Sequence, residues 1–316
     1  MQNIEHSRES IRTVMLTFLG LPSTDIQHVA ADSVVVMGAT DATPYEPGKA
    51  SHSQDGPAAI RTASQKFARW HDHYDFDISA KLIDFPDGSI VDVGEIDCSP
   101  DTPERNRANI QAAVSSVLAA GARPLVFGGD DSVPIPVLSA YEGHGPIWVV
   151  QIDAHMDWRD ERFGETLGWS SPMRRASEMD WVTGMIQIGI RGVGSAFVQD
   201  VCDAKAWGSR IVTARDVYRT GIAAALDQIP DGARVFVSLD LDAIDPAFMP
   251  GVMAQAPGGL NYWHVIDVFD ELSRSQKVVG CNIVELAPQR DTSGVSAMTA
   301  ARIACNAISA MGKSLA

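Results

Sequence analysis

The segment Ile147-Trp148-Val149-Val150-Gln151-Ile152-Asp153-Ala154-His155-Met156-Asp157 decides the fold. Its first six residues are almost wholly apolar, which suits a strand buried on both faces of a parallel sheet. It then turns abruptly polar. The same change recurs elsewhere in the chain. Phe127 leads into Gly128-Gly129-Asp130-Asp131-Ser132, and Val237-Ser238-Leu239 leads into Asp240-Leu241-Asp242-Ala243-Ile244-Asp245-Pro246. Val284 leads into Glu285-Leu286-Ala287-Pro288. Open α/β sheets build their sites at the carboxyl ends of the strands, where these polar residues fall.

Working outward, apolar runs place strands at 33–37, 89–93, 124–127, 147–152, 185–190, 210–212, 234–239 and 277–284. Helical patterns lie between them at 57–71, 102–120, 195–207, 221–228, 262–274 and 296–311. Alternation from end to end predicts an α/β fold, a three-layer α/β/α sandwich with a mostly parallel sheet. Residues 1–30 are expected to form an N-terminal helical extension and residues 31–316 a single domain. The apolar stretch Val14-Met15-Leu16-Thr17-Phe18-Leu19 follows Glu5 and Glu9, not the basic region of a signal peptide, and is expected to be helical. A cytoplasmic location is expected. No run is long enough to span a membrane.

The formal net charge of −15 argues against nucleic acid or an anionic membrane as the main partner. It is compatible with a small cationic substrate. Cys98, Cys202, Cys281 and Cys305 are far apart, so buried free thiols are expected.

The chemistry gathers in Asp153-x-His155-x-Asp157 and Asp240-x-Asp242. In extended backbone, period-two spacing puts such side chains on one face. Buried together they need a cation, unless each Asp merely caps a following helix. Oxygen-rich ligation with one His suits Mn²⁺, with Ni²⁺ the other candidate.

These motifs resemble the signatures of the ureohydrolase (arginase/agmatinase) family, nearest to its agmatinase-like branch. Gly56-Pro57-Ala58-Ala59-Ile60-Arg61, Asp92-Val93-Gly94-Glu95, Pro172-Met173-Arg174-Arg175-Ala176 and Pro257-Gly258-Gly259-Leu260 support the resemblance in order, over about residues 30–312. It implies a hydrolase acting on C–N bonds of linear amidines. A binuclear manganese site would activate a water for attack on a guanidinium carbon, releasing urea and an amine. By position, Asp153 and Asp240 would bridge the ions, Asp157 would complete one, and His155 with Asp242 the other. Glu285 would pair with the substrate guanidinium, or else hold a neighbouring loop.

Two residues depart from the family pattern. Asp131 stands where the first motif carries a metal-binding His, which predicts partial or no metal occupancy. Trp169 stands where the agmatinase-like pattern has the His proposed to shuttle a proton to the leaving amine. An indole cannot titrate. The remaining histidines read as surface or packing residues. The resemblance therefore predicts a trimer or hexamer in which this chain partners a catalytic ureohydrolase paralogue, as in a heteromeric guanidine or biguanide hydrolase. An active homo-oligomer using Asp131 as ligand, and a non-enzymatic binder of a cationic ligand, are the alternatives.

Overall fold

The computed structural model describes residues 16–46 and 48–313. Eight strands form one parallel sheet: β1 (Val34–Ala39), β2 (Ile90–Glu95), β3 (Arg123–Gly128), β4 (Ile147–Ile152), β5 (Val182–Ile190), β6 (Arg210–Thr213), β7 (Arg234–Asp240) and β8 (Lys277–Val284). Their spatial order is β2-β1-β3-β8-β7-β4-β5-β6. The four strands that end in polar motifs, β3, β8, β7 and β4, are therefore consecutive neighbours. That order brings residues more than 150 positions apart in sequence to one edge.

Among the described residues eight α-helices flank the sheet: α1 (Gly56–Ser64), α2 (Pro103–Ala119), α3 (Pro134–Ser139), α4 (Pro172–Ala176), α5 (Val198–Trp207), α6 (Ala214–Leu226), α7 (Tyr262–Ser275) and α8 (Val295–Lys313). Strand alternation sorts the core into two layers. Val235, Val237 and Leu239 of β7 pack with residues of α1, α6, α7 and α8. Phe236, between them, packs with residues of α2, α3 and α4.

Several sequence expectations are corrected. The helix expected over 57–71 ends at Ser64, because side chains take over the carbonyl of Arg61. Ser64 Oγ donates to it at 2.7 Å and Gln65 Nε2 at 3.0 Å. The helix expected from Gly221 starts at Ala214, where Thr213 and Asp216 form a reciprocal cap. Gly221 instead breaks that helix, with φ of +79°. α3 and α4 were too short to show a period. Of the apolar stretch expected to be helical, Val14 and Met15 lie outside the described residues, and Phe18–Gly20 makes a single 3₁₀ turn. Cys281 and Cys305 are buried free thiols as expected, but Cys202 is exposed.

A buried ion pair joins the first two of the family-like segments. Arg61 on α1 and Asp92 on β2 are both almost inaccessible to water. Arg61 grips Asp92 through Nε at 2.8 Å and Nη2 at 3.0 Å, and also reaches Glu95. The Asp92 carboxylate further accepts the backbone N–H of Phe18 and of Gly94. Removing one partner strands the other in a water-free site. Asp92→Ala is expected to destabilise the chain by ~3–5 kcal/mol in urea unfolding. An effect below ~1 kcal/mol, the scale of an exposed pair, would contradict this reading.

Candidate metal centre and substrate cavity

Asp240 is the last residue of β7, and the other acids reach the same edge through backbone turns beyond their strands. Beyond Ile152 the chain leaves the strand, so Asp153, His155 and Asp157 are not spread on an extended face as the spacing suggested. Asp153 Oδ1 accepts the N–H of His155 at 2.6 Å, closing a tight turn. Asp157 adopts φ of +46° and swings its carboxylate back toward Asp153. Asp240 does the same service for its own loop, accepting the N–H of Asp242 at 2.7 Å and opening a 3₁₀ turn at Leu241–Ala243. The same carboxylates thus close the turns and belong to the cluster. Asp131 is delivered by the loop after β3, which crosses Thr40 so closely that a Cβ on Gly129 would lie 1.3 Å from the Thr40 carbonyl oxygen.

Two groups of ligand atoms result, each with all members within 4.8 Å of one another. One comprises Asp153, His155 and Asp242, the other Asp131, Asp153 and Asp240. Asp153 belongs to both. Asp131, which replaces a histidine of the family pattern, has a carboxylate oxygen inside the second group. Asp157 belongs to neither. It lies beside them, its Oδ2 accepting from Gln151 at 2.6 Å.

The electrostatics are those of a site designed around positive charge. Burial and the neighbouring acids push Asp131, Asp157 and Asp240 well above the usual carboxylate range. Asp242 rises to about 6, from burial and the charge of Asp153. Burial alone would lower His155, but hydrogen bonds to Asp153 and Asp242 overcome it and raise the imidazole to about 12. Burial would likewise raise Asp153, and its bonds with His155 pull it down instead. One imidazolium cannot balance this many carboxylates. Asp130 Oδ2 and Asp131 Oδ2 are buried with no hydrogen-bond partner among the described residues, an arrangement that costs free energy unless a further group satisfies it. A donor set of carboxylates with one imidazole fits hard or borderline divalent ions.

A layer of buried polar side chains supports the acids from inside the sheet. The strand register aligns Asn282, Ser238, Gln151 and Gln187 across β8, β7, β4 and β5. Asn282 Nδ2 donates to Ser238 Oγ at 3.1 Å. Ser209 Oγ donates to Gln187 Oε1 at 2.9 Å, and Gln187 Nε2 to Gln151 Oε1 at 2.7 Å. An amide can donate only from its nitrogen, so Gln151 must turn its NH₂ toward the carboxylates. It donates to Asp153 at 2.8 Å and to Asp157. Arg191 ties the next loop in place, donating to the carbonyls of Gly189, Asp242, Ala243 and Ala256. These residues were missed in the sequence. For Gln151, Gln187, Ser238 and Asn282 the available signal was a polar residue inside an otherwise apolar strand.

The cluster forms the floor of a cavity of about 670 Å³. Asp131, His155, Asp157, Asp240, Asp242 and Glu285 line it. Glu285 follows β8 with φ of +67°. Its carboxylate accepts the Asp131 N–H at 3.0 Å and the Ser53 hydroxyl at 2.9 Å, so it does hold neighbouring loops while facing the cavity. Burial raises it to about 7. Trp169 stands in the wall, edge-on to Tyr45 with ring centroids 4.1 Å apart. His52, expected to be a surface residue, is exposed but lies on the cavity rim. No helix is long and apolar enough to cross a membrane among the described residues.

Comparison with known proteins agrees with this geometry. Residues 31–309 match the sequence model of the arginase family. Proclavaminate amidinohydrolase of Streptomyces clavuligerus is 33% identical over 300 residues, covering 91% of this chain and 90% of that protein. Its solved structure superimposes with a TM-score of 0.79 at 31% identity, covering 95% of this chain and 98% of the other. The mitochondrial agmatinase of Gallus gallus is 31% identical over 261 residues, covering 78% of this chain and 72% of that protein.

Divalent metal is expected to stabilise the fold. At a Mn²⁺ concentration a hundredfold above Kd, urea unfolding should shift by ~2.7 kcal/mol, and Asp153→Asn should remove most of the shift. Unfolding indifferent to metal would contradict the site. Gln151→Leu is expected to lower Mn²⁺ affinity roughly 10–100-fold by calorimetry while keeping the native circular dichroism. Unaltered affinity would mean that the amide layer only fills space.

Proposed function

The chain belongs to the arginase family, and on that premise we propose that it is a subunit of an amidinohydrolase that converts a guanidine-type substrate and water into urea and an amine. Two divalent ions, manganese or nickel, would be held by Asp131, Asp153, Asp157, Asp240, Asp242 and His155. Bound there, they supply Lewis acidity and a water nucleophile at neutral pH. Glu285 is anchored by Ser53 and the Asp131 N–H, and its carboxylate would pair with the substrate guanidinium. The acidic floor favours a cation in the same place.

The leaving amine must gain a proton as the C–N bond breaks. The observation that carries the reading of this chain's own role is Trp169, an indole in the cavity wall that can neither accept nor exchange a proton there. Loss of a positioned acid or base lowers rates by roughly 10²–10⁴-fold. We therefore propose that the chain works in a trimer or hexamer beside a catalytic paralogue, as the less active subunit of a heteromeric guanidine or biguanide hydrolase of the metformin hydrolase kind. A second reading, an active homo-oligomer, is favoured by the position of Asp131 inside its ligand group and by the imidazole of His52 on the rim.

The two readings separate by urea assay. The chain alone is expected to release little urea from agmatine, arginine, 4-guanidinobutyrate or alkylated guanidines. Co-purified with a paralogue carrying both family histidines, it should form a stable complex. In that complex Asp153→Asn here should change activity less than tenfold, under ~1.4 kcal/mol of barrier, and the equivalent change in the paralogue should abolish it. Robust turnover by the chain alone, lost in Asp153→Asn, would establish the homo-oligomer instead.

A further inference from the structure

The floor of the cavity is anionic, but its rim carries a cation, Arg162, that no described residue pairs with. Lys49 pairs with Glu46 at 3.1 Å, and Arg159 pairs with Asp200 at 3.3 Å. Glu161 accepts the N–H of Gly164 at 2.6 Å. Arg162 makes no ion pair with any described residue. It donates to Ser170 Oγ at 3.1 Å, and its guanidinium carbon lies 5.1 Å from the Phe163 ring and 5.7 Å from the Tyr45 ring.

This guanidinium is also held in place. Arg162 and Glu165 exchange backbone hydrogen bonds at 2.9 and 3.1 Å around Phe163 and Gly164. Both intervening residues have positive φ, +57° and +82°, which makes a two-residue hairpin turn that fixes where Arg162 leaves the backbone. Tyr45 braces the other side. Its hydroxyl accepts the Ser170 N–H at 3.2 Å, and Gly168 packs so near that a Cβ there would lie 2.3 Å from the Tyr45 ring. An arginine presents five donors in a rigid fork matched to a carboxylate. Among the described residues only one of these donors is engaged, by Ser170 Oγ.

We propose that Arg162 is the specificity-determining residue of the cavity, pairing with an anionic group at the far end of the substrate. The site would then take ω-guanidino carboxylates in preference to guanidines that end in an amine. The inference rests on the guanidine-binding reading above and assigns the substrate class. A guanidinium attracted to the acidic floor leaves its tail toward the rim. A tail carboxylate there meets an unmatched guanidinium, whereas a tail ammonium meets a like charge.

The test is calorimetric binding to the manganese-loaded full chain, with 4-guanidinobutyrate, butylguanidine and agmatine as probes. The expected order is 4-guanidinobutyrate at least tenfold tighter than butylguanidine, with agmatine weakest. Arg162→Gln should cost 4-guanidinobutyrate at least tenfold and leave butylguanidine within twofold. Arg162→Lys should keep the order with a smaller margin. Equal binding of the three probes by the unaltered chain would overturn the assignment of Arg162 alone, as would an equal loss for all three in Arg162→Gln. Failure of butylguanidine to bind at all would overturn the guanidine site as well, and the substrate assignment with it.

Discussion

Mutual repulsion among buried carboxylates is the constraint around which this molecule is organised. Asp131, Asp153, Asp157, Asp240 and Asp242 are each at most 6% exposed and stand at one sheet edge with a single imidazole. Such a cluster is unstable as a set of free anions. Protons can relieve it, as the raised carboxylates indicate, or cations can. Geometry favours cations. Two groups of ligand atoms share Asp153, and at this edge the Asp130 and Asp131 carboxylates each keep one buried oxygen with no hydrogen-bond partner among the described residues.

The remaining architecture serves to hold those acids still. Parallel strand order makes neighbours of β3, β8, β7 and β4. The aligned amides and hydroxyls beneath them fix carboxylate orientation through groups that can donate in only one sense. Arg191 spends its guanidinium on backbone carbonyls around the loop after β7, so the loop bearing Asp242 is clamped from outside as the amide layer clamps from within. The cavity above is framed by a hairpin and an aromatic brace, which set its rim chemistry independently of its floor.

The layer architecture was legible because strand burial leaves a coarse signature: Ile147–Ile152 and Lys277–Val284 match the expected limits at both ends. The acids were legible too, since carboxylates clustered at strand ends have few structural uses. What failed depended on local competition or on partners remote in sequence. Side chains of Ser64 and Gln65 end α1 against its apolar period. The left-handed Asp157 replaces an extended face with a turn. The reach of Asp131 depends on how the loop crosses Thr40, which no spacing reveals. Arg162 is an ordinary charged loop residue until Tyr45, more than a hundred positions away, is seen to brace it.

The most direct test of the central claim, that the acidic edge is built to hold two cations, is anomalous scattering at the manganese edge from crystals of the full chain grown with Mn²⁺. The account predicts two peaks, one among Asp153, His155 and Asp242 and one among Asp131, Asp153 and Asp240. No peak at this edge, with the carboxylates remaining protonated and paired with one another, would contradict it.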